Sequence, residues 1–362
     1  MKVGINVAIL GSRLTGVGHY TLSLIRALAQ VGQDVEWVFL GVPPALEGIP
    51  QGYNIKLVST ERLVGWRRVV WEQSALAGLA AREGVDLLHC PDFSRPVFSK
   101  VPVINTVHDL SYYCPQQYFS RAKLAYRRTM VHVTMKRSRA VITVSHFTRR
   151  EILERFSVDP GNVHAIHLGV ESLDRTLGDP GLPPYILYVG AMETRKNVVA
   201  LINAFTALRQ RARIPHRLVL AGQPGWGWQR IQEAIQASPF RGEIEELGYV
   251  DQKKLWPLYR SADVFVFPSL YESFGLPVLE AMACGTPVVC SRASCLPEIA
   301  GDAAEFFDPS SAEDLAGALE RVLTAGDLRS HLRQEGFKRA AQFTWEECAR
   351  KHCQVYRQVQ QY

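Results

Sequence analysis

No stretch of this 362-residue sequence approaches the roughly 20 uninterrupted apolar residues that a membrane-spanning helix needs. No basic, apolar leader opens it either: Met1 runs straight into a strand pattern, so the expectation is a chain that folds in the cytosol. Its seven cysteines, Cys90, Cys114, Cys284, Cys290, Cys295, Cys348 and Cys353, contain no Cys-x-x-Cys pair. That argues against a redox motif or a structural zinc site and for reduced, mostly buried thiols. Also missing is a G-x-G-x-x-G fingerprint with an acidic residue closing the second strand. Gly11, Gly16 and Gly18 are wrongly spaced and Asp34 precedes the second strand pattern, which disfavours dinucleotide redox chemistry.

Acidic residues are absent from Arg121 to Arg139, where Arg121, Lys123, Arg127, Arg128, Lys136, Arg137 and Arg139 all fall. The imbalance extends further. Residues 1–170 hold 20 Lys+Arg against 12 Asp+Glu, whereas residues 171–362 hold 21 against 23, so the net charge of +6 belongs to the first half. Upstream, Trp66, Arg67 and Arg68 mix a ring with cations. Such segments suit an anionic membrane surface or a lipid-diphosphate acceptor, and otherwise an ordinary solvated helix face. With a modest surplus and no recognition motif, nucleic acid is not expected as a partner.

A 47% hydrophobic share with 21% charged residues fits a globular chain, and its length predicts two domains. Short apolar runs alternate with amphipathic ones throughout, the pattern of βαβ units and parallel sheets. Strands are expected at Lys2–Leu10, Val35–Leu40, Asn54–Ser59, Val85–Cys90, Pro102–His108, Ala140–Ser145 and Val163–Val170. A second set is expected at Tyr185–Gly190, Arg217–Gly222, Ile244–Val250, Val264–Ser269, Pro287–Ser291 and Ala304–Phe307. The fold class is therefore α/β, with two doubly wound, Rossmann-like domains at 1–172 and 185–342. A Gly- and Pro-rich hinge at 173–184 joins them, and a terminal helix at 343–362 is expected to cross back to the first domain.

Open α/β sheets bind ligands beyond the carboxyl ends of their strands, so the residues there are the candidates. After the first strand, Gly11 to Gly18 precede a helix, where backbone amides and the helix dipole favour an anion, against the alternative of a plain strand-to-helix turn. His108 and Asp109 close the strand that starts at Pro102, with either a site role or a structural one open to His108. Arg195 and Lys196 follow the strand Tyr185–Gly190 and can clamp a diphosphate, against the alternative of a solvated helix start. Most specific is the run from Tyr271 to Pro287, in which Glu272 and Glu280 bracket a helix start at Gly275. Amides around Ser273, Phe274, Gly275 and Leu276 can meet an anion while the carboxylates take the hydroxyls of a sugar and a ribose. Trp226 and Trp228 fit either a site lining or plain packing.

The E-x₇-E spacing of Glu272 and Glu280 inside ESFGLPVLEAMACGTPVV, with RKN at 195–197, resembles the retaining glycosyltransferases of family four, which have the GT-B fold. The resemblance spans nearly the whole chain, through THDLSYY-like residues at 106–113, VSHFTRREI at 144–152, LGYV at 247–250 and CLPEIAG at 295–301. It implies two halves facing each other across a cleft that holds a nucleotide-sugar. Glu272 would hold the donor sugar, Glu280 the ribose, and Arg195 and Lys196 the diphosphate, aided by amides near Gly275 and by Gly16 and Gly18. Tyr249 and Val250 would present backbone groups to the base, and His108 would touch the donor sugar from the other half.

Ala191 stands where many relatives have Arg, and His167-Leu168-Gly169-Val170 replaces the commoner Pro-Asn-Gly-Val. Within the family the pattern is similar to bacterial mannosyltransferases that use GDP-mannose and build polysaccharide or O-antigen, ahead of enzymes using UDP-linked hexoses. The acceptor would be a saccharide or lipid-linked saccharide, and the site would lie in the cytoplasm, peripheral on the inner face of the membrane. No Asp-x-Asp occurs, so neither a metal nor a cofactor is expected beside the donor. The rivals are a nucleotide-sugar epimerase on the same fold and an inactive membrane-attached scaffold.

Overall fold

A computed structural model describes the chain except for residues 11–15, 43–47, 53, 62, 115–120, 172–182, 213 and 362. Most of the expected hinge thus lies outside the described residues, as does the start of the first Gly-rich loop. The chain divides into two compact units: Met1–Gly169 with Trp345–Tyr362, and Val170–Thr344. Among the described residues no helix is long and apolar enough to cross a membrane.

The first unit carries seven strands: β1 (Lys2–Asn6), β2 (Glu36–Val42), β3 (Ile55–Ser59), β4 (Leu87–Cys90), β5 (Val103–Val107), β6 (Ala140–Thr143) and β7 (Val163–Ala165). They form one sheet in the order β3-β2-β1-β4-β5-β6-β7, and every pairing is parallel. Most strands are shorter than the sequence suggests, β1 and β7 by the most. The Val7 amide still donates to the Leu40 carbonyl of β2 at 2.8 Å, but the Val7 carbonyl turns to accept from the Leu10 amide at 3.0 Å, and β7 stops at Ala165 although Ile166 stays buried. Apolar runs signal burial, and burial extends past the hydrogen-bonded ladder.

The second unit carries β8 (Tyr185–Val189), β9 (Arg217–Ala221), β10 (Ile244–Gly248), β11 (Val264–Phe267), β12 (Val288–Ser291) and β13 (Ala304–Phe307). Its sheet runs β10-β9-β8-β11-β12-β13, again wholly parallel. β11 and β12 are buried at every position, as strands covered on both faces must be. Ile202, Phe205 and Leu208 of the helix Val198–Ala212 meet Leu315, Leu319 and Val322 of Ala312–Thr324 in one core with Ile186 and Tyr188 of β8.

The helix Trp345–Gln360 belongs to the first unit and lies against Gly16–Val31. Its buried positions, Cys348, Ala349, His352, Cys353, Val355, Tyr356 and Val359, recur at three- and four-residue intervals and form one face. An exposed bidentate contact from Arg357 to Asp34, at 2.9 and 3.1 Å, closes its outer edge.

Candidate functional site

In the second sheet the chain runs from β8 outward to β9 and β10, then returns to start the other side at β11. The neighbours β8 and β11 are therefore the switch point, where a crevice opens beyond the strand ends. The loop after β8 brings Arg195 and Lys196, and the loop after β11 brings Glu272. Backbone approach at this edge is close: a Cβ on Gly222 would sit 1.8 Å from the Gly190 carbonyl oxygen, so only glycine fits there.

The two loops are tied together atom by atom. The Leu270 amide donates to the Arg195 carbonyl at 2.8 Å, and Arg195 Nη1 donates to the Tyr271 carbonyl at 3.1 Å. Arg195 also meets Glu193 at 2.7 Å and Glu272 at 3.5 Å. The Lys196 ammonium pairs directly with Glu272 and lies 5.1 Å from the centre of the Phe267 ring. Lys196 is 8% exposed and Glu272 7%, so Lys196 does not sit on a solvated helix start. Burial pushes the Glu272 carboxyl up, but Lys196 and Arg195 more than reverse this and hold it below the usual range. Burial lowers the Lys196 ammonium, opposed by Glu272.

Gly275 adopts φ 84° and precedes the helix Leu276–Ala283. A side chain there would be strained and would press on Leu296. Pro277 takes an early helical position, where a missing N–H costs nothing. Pro277 has no N–H and the Val278 amide donates to the Gly275 carbonyl at 2.9 Å, so Leu276 supplies the helix-start amide that can meet an anion. The Phe274 side chain is buried and meets Phe343 edge-on at 6.0 Å, so it packs, leaving only its backbone near the helix start. Ser273 is half-buried beside it.

Glu280 accepts from the Tyr259 hydroxyl at 2.9 Å. Burial pushes its carboxyl up to about 7. Tyr249, 56% exposed, and Val250 follow β10 at the same carboxyl edge, where the Gly222 amide donates to the Gly248 carbonyl at 2.7 Å. Trp226 is exposed, and its carbonyl accepts from the Thr194 amide at 2.9 Å, bracing the loop that carries Arg195.

In the first unit His108 follows β5. Its Nε2 donates to the Pro91 carbonyl at 3.0 Å, and burial lowers its pKa, so the ring is neutral near pH 7. Asp109 accepts from the Ser111 amide and hydroxyl at 3.0 and 2.7 Å and so shapes the turn instead of facing outward. Gly16 opens the helix Gly16–Val31 with open space beside it, and Gly18 is buried on that helix. Gly11 to Thr15 lie outside the described residues.

The basic segments divide. Arg121 and Lys123 are exposed at the start of the helix Arg121–Arg137. Arg127 instead lies 5.3 Å from the Phe93 ring centre, and Arg128 lies 5.2 Å from that of Tyr113 while donating to the Tyr112 carbonyl at 3.0 Å. Arg67 meets Glu61 at 3.3 Å, and Arg68 turns inward to Glu72 at 3.8 Å and Asp92 at 3.7 Å. Trp66 is 75% exposed.

Sequence reasoning missed Tyr259, Glu193 and Phe267, which touch candidate residues. Glu193 stands two places before Arg195 and was within reach, since a carboxylate so near a clamp cation shares its charge. Tyr259 and Phe267 carry no such mark, because a tyrosine in a helix and a phenylalanine in a strand read as core.

Two family models match residues 14–339 between them: one described as "Glycosyl transferases group 1" matches residues 169–339, and one described as "Glycosyltransferase Family 4" matches residues 14–172. Among curated relatives, the O-antigen chain mannosyltransferase B of Escherichia coli is 30% identical, covering 95% of this chain and 96% of that one. An MMP alpha-(1->4)-mannosyltransferase of Mycolicibacterium hassiacum is 29% identical over 94% of each. Among solved structures, a sucrose-phosphate synthase from Thermosynechococcus elongatus superposes with a TM-score of 0.79 at 24% identity, over 99% of this chain and 98% of that one. Two parallel-sheet Rossmann-like units, the switch-point site and these relationships agree: the chain belongs to the group 1, family 4 glycosyltransferases and has the GT-B fold.

Proposed function

We propose that this glycosyltransferase moves mannose from GDP-mannose to a saccharide or lipid-linked saccharide acceptor, with retention at the anomeric carbon and without a metal. The observation that carries the reading is the Lys196, Arg195 and Glu272 cluster at the β8/β11 switch point, beside a helix start at Gly275. Two cations there suit a diphosphate, and a carboxylate held ionised suits sugar hydroxyls. Relatives named as mannosyltransferases support the choice of sugar.

In the proposed reaction the acceptor hydroxyl attacks C1 on the face the diphosphate leaves. The C1–O bond to phosphate breaks, the new C1–O bond forms, and the acceptor's proton passes to a leaving diphosphate oxygen. Lys196 and Arg195 stabilise the charge that grows on that group. Glu272 orients the sugar without forming a covalent bond, Glu280 takes the ribose, Tyr249 and Val250 face the base, and His108 contacts the donor sugar. Trp66, Arg67, Arg121 and Lys123, four exposed residues of the basic segments, are proposed to meet an anionic membrane surface that carries the acceptor.

A thermal-shift panel of GDP, UDP and dTDP with their sugars tests the donor. A nucleotide at 100 times its Kd adds about 2.7 kcal/mol of stability, so GDP and GDP-mannose should raise the melting temperature most. A larger rise with UDP-hexoses overturns that choice.

A further inference from the structure

The first unit contains a buried hydrogen-bonded chain whose direction can be assigned atom by atom. The Cys348 carbonyl can only accept, so His352 Nδ1, 2.8 Å away, carries a proton. His352 Nε2 is then the acceptor for the Tyr20 hydroxyl at 3.0 Å. With its proton committed, the Tyr20 oxygen accepts from Thr106 Oγ1 at 2.8 Å. Thr106 in turn accepts from His89 Nε2 at 2.9 Å, which leaves His89 Nδ1 to accept from the Tyr356 hydroxyl at 2.7 Å. Tyr20 is 2% exposed, and Thr106, His89, His352 and Tyr356 are wholly buried. The scheme needs two neutral imidazoles, and burial lowers both, His352 to about 4.

The middle of this chain touches a candidate site residue. The Tyr20 ring meets the His108 ring edge to face, with centres 4.7 Å apart and planes at 81°, and Thr106 stands two residues before His108. The Nε2 bond to Pro91 by itself leaves the imidazole free to swing about that bond, and the aromatic contact restricts the swing. Tyr20 cannot yield, because its hydroxyl is clamped from β5 and from the C-terminal helix.

We propose that Tyr20 is a positioning residue that sets the ring orientation of His108, whose tautomer the Pro91 carbonyl fixes, and that the C-terminal helix acts on the site through His352 and Tyr20. The functional consequence rests on the proposed contact between His108 and the donor sugar; the positioning itself does not.

The test uses Tyr20→Phe, which removes one oxygen and keeps the ring volume, with the full chain labelled at histidine nitrogens. His108→Gln assigns the His108 signals. In the wild type His108 should show one neutral tautomer with its proton on Nε2 and one set of ring-proton signals; Tyr20→Phe should keep that tautomer and shift or double the ring-proton signals, as the unclamped ring of residue 20 lets His108 turn. The same variant should lower kcat about 5-fold, through lost orientation, with donor KM unchanged within about 2-fold. Tyr20→Leu, where it folds, should lower kcat further, and Tyr20→Phe then counts as partial rescue. An unaltered His108 signal in Tyr20→Phe overturns the proposal, even if kcat falls, since a merely structural loss would reduce activity without turning that ring. Failure of transfer from every donor, with the expected spectral change, overturns the functional reading and leaves the positioning contact standing.

Discussion

Lys196 and Glu272 form a buried ion pair although they stand 76 positions apart and arrive on loops after different strands. Each residue is thereby the other's charge partner. In the proposed reaction an incoming diphosphate would offer the cations a second anion and free carboxylate oxygens for sugar hydroxyls. Cations that favour the leaving group most when its charge is greatest would act on kcat more than on binding.

Replacing Lys196 by Met should lower kcat by about 10²-fold or more. Glu272 keeps Arg195 as a partner, so the loss of stability should fall below the roughly 3–5 kcal/mol typical of an orphaned buried charge. Glu272→Gln should also lower kcat, while nucleotide diphosphate affinity holds or rises, since the cations lose a competing carboxylate. Steady-state kinetics with calorimetric nucleotide titrations separate the two; weaker nucleotide binding in Glu272→Gln would contradict the division of roles.

Glu280 should make both stability and nucleotide affinity depend on pH. Its folded-state pKa of about 7 lies above the ordinary glutamate value, so the folded protein holds a proton the unfolded chain has lost. Its contribution is fully present below the ordinary value and is lost as pH rises toward 7, by at most about 1.4 kcal/mol per pH unit. Melting curves from pH 4.5 to 8 should therefore show wild type losing stability relative to Glu280→Gln. An ionised carboxylate accepts from ribose hydroxyls more strongly than a protonated one, so nucleotide affinity should rise more between pH 6 and 8 in the wild type than in Glu280→Gln. Parallel pH profiles for the two proteins would remove Glu280 from this role.

The fold class was readable because strands covered on both faces appear as short unbroken apolar runs, such as Val264–Phe267. Arg195, Lys196 and Glu272 were readable as separate candidates after strands. That Lys196 pairs with Glu272 was not, since it depends on β8 and β11 becoming neighbours, which no local pattern encodes. The inward packing of Arg128 on Tyr113 escaped for a similar reason: an arginine in a basic run gives no sign of which ring it will cover. Tyr20 and His352, 332 positions apart, meet only once the last helix has docked.

Binding to anionic vesicles should be salt-sensitive and should weaken when Arg121 and Lys123 are both changed to Glu. Those two cations are exposed, whereas Arg127 and Arg128 pack on rings, so altering the latter would confound surface charge with folding. Co-sedimentation with phosphatidylglycerol vesicles at low and high salt reads the effect. Equal binding of wild type and double variant would leave these residues as an ordinary solvated face.

Transfer should survive EDTA and show no stimulation on adding Mg²⁺ or Mn²⁺, because Lys196, Arg195 and the helix start at Gly275 supply the positive charge. Loss of product in chelator, restored by either metal, would contradict this.

The configuration of the product tests the central claim most directly. With GDP-mannose, whose mannose is α-linked, and an acceptor that accumulates product, the anomeric carbon–hydrogen coupling of the first-formed disaccharide should report an α-mannoside. A β-mannoside would contradict front-face attack and with it the roles given to Glu272, Lys196 and Arg195.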